Sequence, residues 1–343
     1  MNNILDHDFL AALSTPAKKG PRTESATLAP VATMTVTTKT HTPVLPSSRS
    51  LRTAGLSPNS FWCEMDTLEY HTQSPGISSS RLKHMLVSPA YYQLKLQRPM
   101  AETDALRLGR MLHTQLLEPH LIDEEFAVWR DGRRQGNDWG LFALQNSSKT
   151  ILTEAQLQCA QDMAMALREL TDFPFESWLD GMDSIKPAIK ERSLFWIDEE
   201  TGLQCKARPD AMTLGQSALA GDVKSARSVD PDDFVRDLFS LRYDLQAAHY
   251  LAGIKAVYGV DANFAFFAVE KDAPHVARTF LMTQEALALG EKNRRYCLRL
   301  TRQCLDANNW PKQPGGTAPI PVEVPFYKDK PLLDMAAAYG ITL

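Results

Sequence analysis

Two periods of apolar residues run along this chain, and the change from one to the other divides it. In the first half the spacing is helical. Ile77-Ser78-Ser79-Ser80-Arg81 precedes Leu82, Met85 and Leu86, which sets a serine cap ahead of a helical stripe. Ser88-Pro89 breaks that helix and opens another, with Pro89 in the first turn, where a missing N–H costs nothing. Asp104 to Leu117 reads as a helix that ends before Pro119. Asp131 to Trp139 is polar and glycine-bearing and reads as a loop. Thr153-Glu154-Ala155-Gln156 has the capping-box pattern and opens a helix that runs to about Leu170.

Strand signals then take over. Arg192 to Ile197 reads as a strand, Asp198 to Gly202 as a turn, and Leu203 to Met212 as the returning strand. Leu219 to Lys224 is a further short strand. Asp230-Pro231 caps a long helix that reaches about Tyr258. Asn263 to Val269 and His275 to Met282 read as two more strands, and Thr283 to Asn308 as a final long helix. This order predicts an α/β or α+β core behind a helical N-terminal portion.

Both ends lie outside the pattern. Residues 1–60 are rich in Ser, Thr, Pro and Ala and hold no aromatic except Phe9. Such a segment cannot bury enough apolar area to offset its ordering entropy, so a disordered extension is expected. Within it, Ile4 to Leu13 suits either a frayed terminus or a short amphipathic peptide that docks on a partner. Residues 311–343 begin with a proline-rich run and read as an extended tail. The folded domain is then expected over 61–310.

Composition adds limits. The 44% hydrophobic and 23% charged fractions are ordinary for a soluble globular chain with a sizeable core. No window approaches ~18 consecutive apolar residues, and the start lacks the basic-then-apolar order of a secretory signal, so a cytoplasmic protein without a membrane span is expected. Cys63, Cys159, Cys205, Cys297 and Cys304 are scattered and form no C-x-x-C, which argues against a disulfide scaffold or a structural zinc. The net charge of -4 mildly opposes nucleic acid as a partner, although a local basic patch is enough to bind it.

The candidate chemistry starts at Asp222-Val223-Lys224. Side chains at i and i+2 of a strand share a face, so Asp222 and Lys224 point into the same space, with the Val223 carbonyl nearby. Asp210 ends the preceding expected strand behind Pro209, and reaches Asp222 if the two strands pair. Two carboxylates and a carbonyl make a hard oxygen site suited to Mg²⁺ or Mn²⁺. A solvated strand face is the ordinary fate of an Asp-x-Lys triplet. Gly109 and His113 stand at i and i+4 of a helix, and a neutral imidazole ligates a divalent ion; a satisfied core histidine is the commoner fate. Gln246 and Tyr250 share a face of the long helix, where ordinary packing also accounts for them. Glu191 opens a strand and is either a further carboxylate near the metal or an exposed strand-end charge. A phosphate track could draw on Lys186, Lys190, Arg192, Lys206, Arg208, Arg227, Arg236 and Arg242, with Arg130, Arg133 and Arg134 from the loop, against solvated surface charge for any one of them.

Taken in order, Gly-x-x-x-His, Glu, Pro-Asp, Asp-x-Lys and Gln-x-x-x-Tyr resemble the nuclease family that includes the RecB nuclease domain. Gly76 to Leu82, Ser88 to Tyr92, Leu116 to Pro119 and Thr201 to Asp210 look like the RecE-type domain of exodeoxyribonuclease VIII. The resemblance covers about Tyr70 to Tyr258. It implies a restriction-endonuclease-like PD-(D/E)xK core. It implies His113, Asp210 and Asp222 as metal ligands, Lys224 as catalytic lysine, Glu191 as accessory acid, and Gln246 and Tyr250 near the DNA backbone. It further implies exonucleolytic attack on linear double-stranded DNA from a 5′ end, leaving a 3′ strand for a single-strand annealing protein. A ring-shaped homo-oligomer and a phage or prophage recombination setting come with it. Cys297 and Cys304 are too widely spaced and lack partners for the iron–sulfur cluster of related nucleases, so none is expected. The competing readings are a structure-specific endonuclease and a catalytically idle DNA-binding protein on the same fold.

Overall fold

The computed structural model describes residues 60–98, 103–181, 186–215, 217–312, 330, 333–335 and 337–341. The expected N-terminal extension and the Ile4–Leu13 peptide lie outside them. Contacts divide the chain into Met1–Trp310 and Pro311–Leu343.

The first unit opens with β1 (Phe61–Cys63) and the helices α1 (Thr67–Thr72), α2 (Ser79–Lys83), α3 (Pro89–Gln97), α4 (Asp104–Leu117) and α5 (Ile122–Glu125). Polar side chains start most of these helices, as the pattern predicts. Ser88 Oγ accepts from Tyr91 N at 3.1 Å and Thr103 Oγ1 from Leu106 N at 3.2 Å. Next come β2 (Phe126–Trp129), α6 (Gly136–Gln145), β3 (Thr150–Thr153), α7 (Glu154–Arg168) and α8 (Phe175–Asp180). The capping box at Thr153 and Gln156 is formed. The later part holds β4 (Ile189–Lys190), β5 (Ser193–Ile197), β6 (Gln204–Ala207), β7 (Ala211–Thr213), β8 (Leu219–Ala226), α9 (Pro231–Ser240), α10 (Tyr243–Tyr258), β9 (Asn263–Glu270), β10 (Ala277–Leu281) and α11 (Gln284–Ala307).

The main sheet has the order β10-β9-β8-β7-β4. β8 and β9 are parallel, and the other pairs are antiparallel. A parallel pair needs a long crossover, which α9 and α10 supply. Alternate residues of β9 enter two cores. Phe264, Phe266 and Ala268 pack with α10 and α11, whereas Ala265, Phe267 and Val269 pack with α4, α7 and α8. The strand is therefore apolar on both faces, as expected of a sheet sandwiched between helices. A second sheet, β1-β5-β6, is antiparallel. No helix of the described residues is long and apolar enough to cross a membrane.

Several elements differ from the expectation. The segment read as a loop to Trp139 turns helical at Gly136, and α6 buries none of its residues, so no amphipathic stripe marked it. The short parallel pair β2–β3 was not foreseen, because four-residue strands carry too little alternation. The long helix from Asp230 splits into α9 and α10 at Arg242, whose φ of 60° is left-handed and ends a helix. The strand read from Leu203 to Met212 breaks at Pro209. Its first part pairs with β5 in the small sheet and its last part with β8 in the main one. In the second unit, Lys330, Leu333–Met335, Ala337 and Ala338 are helical rather than extended, as an alanine-rich stretch behind Pro331 allows.

Where α10 meets α11, Gly290 is essential to the close approach: a Cβ there would lie 2.0 Å from the Asp244 backbone oxygen. Gly290→Ala is expected to destabilise the fold by about 1–3 kcal/mol, since backbone cannot swing aside as a side chain can. A urea titration of both proteins checks this through a lowered midpoint at unchanged slope.

Candidate active site

The site rests on strand register. β4 pairs with β7 as Lys190↔Ala211, and β7 pairs with β8 as Ala211↔Gly221. One further step of each register sets Glu191 beside Asp210 and Asp210 beside Asp222. The first step is visible as the Glu191 N–H donating to the Asp210 carbonyl at 3.0 Å. Three acidic residues thus form a row across adjacent strands. The expectation that the strands bearing Asp210 and Asp222 pair is met, with Asp210 just ahead of β7 rather than at the end of its predecessor.

Helices close over this row from both sides. From α4, His113 is 6% exposed, and its Nε2 lies 3.1 Å from the Val223 carbonyl. A carbonyl only accepts, so Nε2 carries the proton and the neutral ring keeps its lone pair on Nδ1. That Nδ1 is buried, makes no hydrogen bond and lies 3.5 Å from Asp210 Oδ2. From α10, Gln246 Nε2 donates to Asp222 Oδ1 at 2.6 Å, and its Oε1 accepts from Lys224 Nζ at 3.3 Å. Lys224 also pairs directly with Asp222 and sits 4.5 Å from the Tyr243 ring centroid. Asp210 Oδ2 accepts from Val223 N at 2.7 Å. Arg208 Nε donates to Glu191 Oε2 at 2.6 Å.

Burial sets the protonation states. It raises the Asp210 carboxyl well above its usual range, helped by repulsion from Asp222 and Glu191. It holds the His113 imidazole well below its usual value, so the ring is neutral. It lowers Lys224 to about 8, against the pull of Asp222 and Asp210. It raises Tyr250, which stays a neutral phenol.

His113, Glu191 and Asp210 each offer a ligand atom, and these atoms lie within 4.8 Å of one another. An orphaned imidazole nitrogen beside two carboxylates is a donor set that fits a divalent cation. Asp222, nominated with them, is turned to Lys224 and Gln246, and the Val223 carbonyl accepts from His113. The three sit at a cavity of about 30 Å³ whose walls include Tyr70, His71, Arg110, Thr114, Glu118 and Tyr250. Arg110, Thr114 and Glu118 continue the His113 face of α4 at helical spacing, a signal available in the sequence but not taken up. Tyr70 and His71 come from α1, where no pattern marks them.

The nominated cations fare unevenly. Arg208 lines the cavity. Arg227 lies outside it, 3.9 Å from Asp233 and from Asp237. Lys206 is buried and donates to the Tyr70 and Ser74 carbonyls and to Ser74 Oγ, so it pins α1 to β6 and is not part of a surface track. Lys190 pairs with Asp180, Arg236 with Asp233 and Arg130 with Glu154.

A mixed sheet sandwiched by helices, with Asp210, Asp222 and Lys224 on adjacent strands, is the PD-(D/E)xK fold. The chain belongs to the family described as PDDEXK-like domain of unknown function (DUF3799), which matches residues 78–320. No curated protein sequence matches it. Among solved structures it is similar to the "Putative exonuclease" from Eubacterium rectale, at 14% identity and a TM-score of 0.50, over 80% of this chain and 99% of that one, a likeness of fold. The structure named SSO0001 aligns at 14% identity over 56% of this chain and 85% of its own, with a TM-score of 0.24.

The raised Asp210 fixes a sign. The folded chain holds that proton more tightly than the unfolded chain does, so without metal its contribution falls as pH rises from about 4 through the folded-state value. Asp210→Asn keeps an acceptor for Val223 N and removes the buried charge. Metal-free Asp210→Asn is expected to melt higher than wild type at pH 7, with the gap closing toward pH 4. Calorimetric scans across that range check it.

Proposed function

We propose that the protein is a divalent-metal-dependent deoxyribonuclease that hydrolyses linear double-stranded DNA in the manner of the RecE-type exonucleases. The observation that carries this reading is the row of Glu191 just after β4, Asp210 just before β7 and Asp222 in β8, with Lys224 on the Asp222 face and the lone pair of His113 facing Asp210. The family membership and the name of the E. rectale structure support it. Mg²⁺ is the proposed cation, with Mn²⁺ as its substitute.

His113, Asp210 and Glu191 would hold the cation, with Asp222 as a further oxygen donor; the Val223 carbonyl, taken up by His113 Nε2 on the other side of the ring, would not reach it. When bound, the cation lowers the pKa of a water and offsets charge on the scissile phosphate. Lys224 would donate to the attacking water or to a phosphoryl oxygen, and its depressed pKa of about 8 leaves it mostly charged at neutral pH. Gln246 fixes Asp222 and Lys224 relative to each other through one amide. Tyr250, neutral and at the cavity wall, would contact the DNA backbone beside Gln246. His113 and Asp210 are buried and, with Glu191, line a cavity of about 30 Å³. Degradation from the 5′ end, a ring-shaped homo-oligomer, a cytoplasmic recombination role and a single-strand annealing partner belong to the same proposal and rest on the sequence resemblance.

The test is release of acid-soluble nucleotide from linear duplex DNA with Mg²⁺, beside a covalently closed circle. Loss of the linear form only, abolished in Asp222→Asn and Lys224→Ala, is expected. Cleavage of the circle would replace the exonuclease with an endonuclease. A folded wild type inactive on both would leave the DNA-binding reading.

A further inference from the structure

We infer that Arg208 is a positioning residue that aims Glu191 at the metal site, and not a contact to the DNA backbone; this rests on the metal-dependent reading of the site. The argument begins with the Glu191 backbone. Its φ of 46° is in the left-handed region, which a non-glycine residue adopts rarely and at a cost. Two interactions hold it there: the N–H donates to the Asp210 carbonyl at 3.0 Å, and the carboxylate is gripped by Arg208 Nε at 2.6 Å. The unusual turn swings the Glu191 side chain back to Asp210 and His113, within 4.8 Å of their ligand atoms.

Arg208 is itself fully committed to the protein. Its side chain is 5% exposed. Nη1 donates to the Met65 carbonyl at 3.0 Å, and Nη2 lies 3.9 Å from Glu118. The guanidinium stands 5.8 Å from the Tyr70 ring centroid. Nε and Nη1 are thus spent on protein groups and Nη2 faces Glu118, so the guanidinium borders the cavity but is already engaged by its own chain. The charge is placed where it is needed: Glu118, Glu191 and Asp210 would otherwise repel one another in a poorly solvated space. A planar fork can bind one carboxylate, face a second and reach a carbonyl at fixed angles, which a lysine cannot do. Partners of metal-ligating carboxylates commonly contribute about 10–100-fold to metal affinity.

The deciding measurement is Mn²⁺ binding without DNA, followed by electron paramagnetic resonance of the free ion, for wild type, Arg208→Met, Arg208→Lys, Glu191→Gln and the double variant Arg208→Met/Glu191→Gln. Arg208→Met is expected to weaken Mn²⁺ binding about 10–100-fold. The double variant should bind no more weakly than Glu191→Gln alone, because Arg208 acts through Glu191. Arg208→Lys should recover part of the affinity. Wild-type affinity in Arg208→Met, or losses that multiply in the double variant, would overturn the inference and leave the metal reading intact. Absence of Mn²⁺ binding in wild type would sink both. If Arg208→Met does not fold, Arg208→Lys decides: it keeps the buried charge and loses the fork, so unchanged Mn²⁺ affinity in a folded Arg208→Lys counts against the inference.

Discussion

Three carboxylates held side by side across a buried sheet are the constraint that the surrounding structure answers. Register brings the backbones of Glu191, Asp210 and Asp222 together, and register is fixed by the apolar faces of the strands, which a one-residue slip would turn to the wrong side. Charges so placed in a medium of low polarity repel strongly and are poorly solvated. Each therefore needs a dedicated partner. Arg208 takes Glu191, the Val223 N–H takes Asp210, and Lys224 with Gln246 takes Asp222. The partners come from different elements, so the site ties β6, β7, β8 and α10 into one unit.

The two helical layers divide the work. The α4 side delivers His113, Thr114 and Glu118, and its imidazole is anchored on the backbone of β8 through Nε2. The α10 side delivers Gln246 and Tyr250 and is packed against β9 and α11 by Leu245, Ala247 and Ile254. Arg242, in its left-handed conformation, resets the direction of the chain between α9 and α10, so that Gln246 meets the sheet where Asp222 stands. A straight helix from Asp230 would follow one axis throughout and lacks this freedom. The departure from the simplest helical reading thus lies next to a residue of the site.

Elements with a full stripe and a capping residue were legible in the sequence: α4, α7 and α11 lie within a few residues of their expected bounds. So was the strand that bears Asp222 and Lys224, whereas the stretch from Leu203 to Met212, read as one strand, is two strands in different sheets, parted at Pro209. What stayed hidden was carried by few residues or by distant contacts. α6 has no buried face, and β2 and β3 are too short for alternation to show. The roles of the basic residues were hidden for another reason. A sequence shows that Lys206 and Arg208 are charged, but not that each is enclosed by carbonyls or carboxylates from residues far along the chain. Proximity to a motif was a poor guide to exposure.

The protonation states complete the picture of a site prepared for a cation. His113 is kept neutral and offers a lone pair, while Asp210 is inclined to hold a proton because burial disfavours its charge and Asp222 and Glu191 repel it. His113, Glu191 and Asp210 would hold a divalent cation there, and loss of the Asp210 proton would favour its binding. Lys224 is treated differently. It pairs with Asp222 and lies over the Tyr243 ring, which keeps an ammonium close to the ligands. Had the lysine entered among His113, Glu191 and Asp210, it would have satisfied the carboxylates and left no place for a metal. Lys224 is instead held by Asp222 on the face of β8 that the two share and by the Gln246 amide, while His113 approaches through the carbonyl between them.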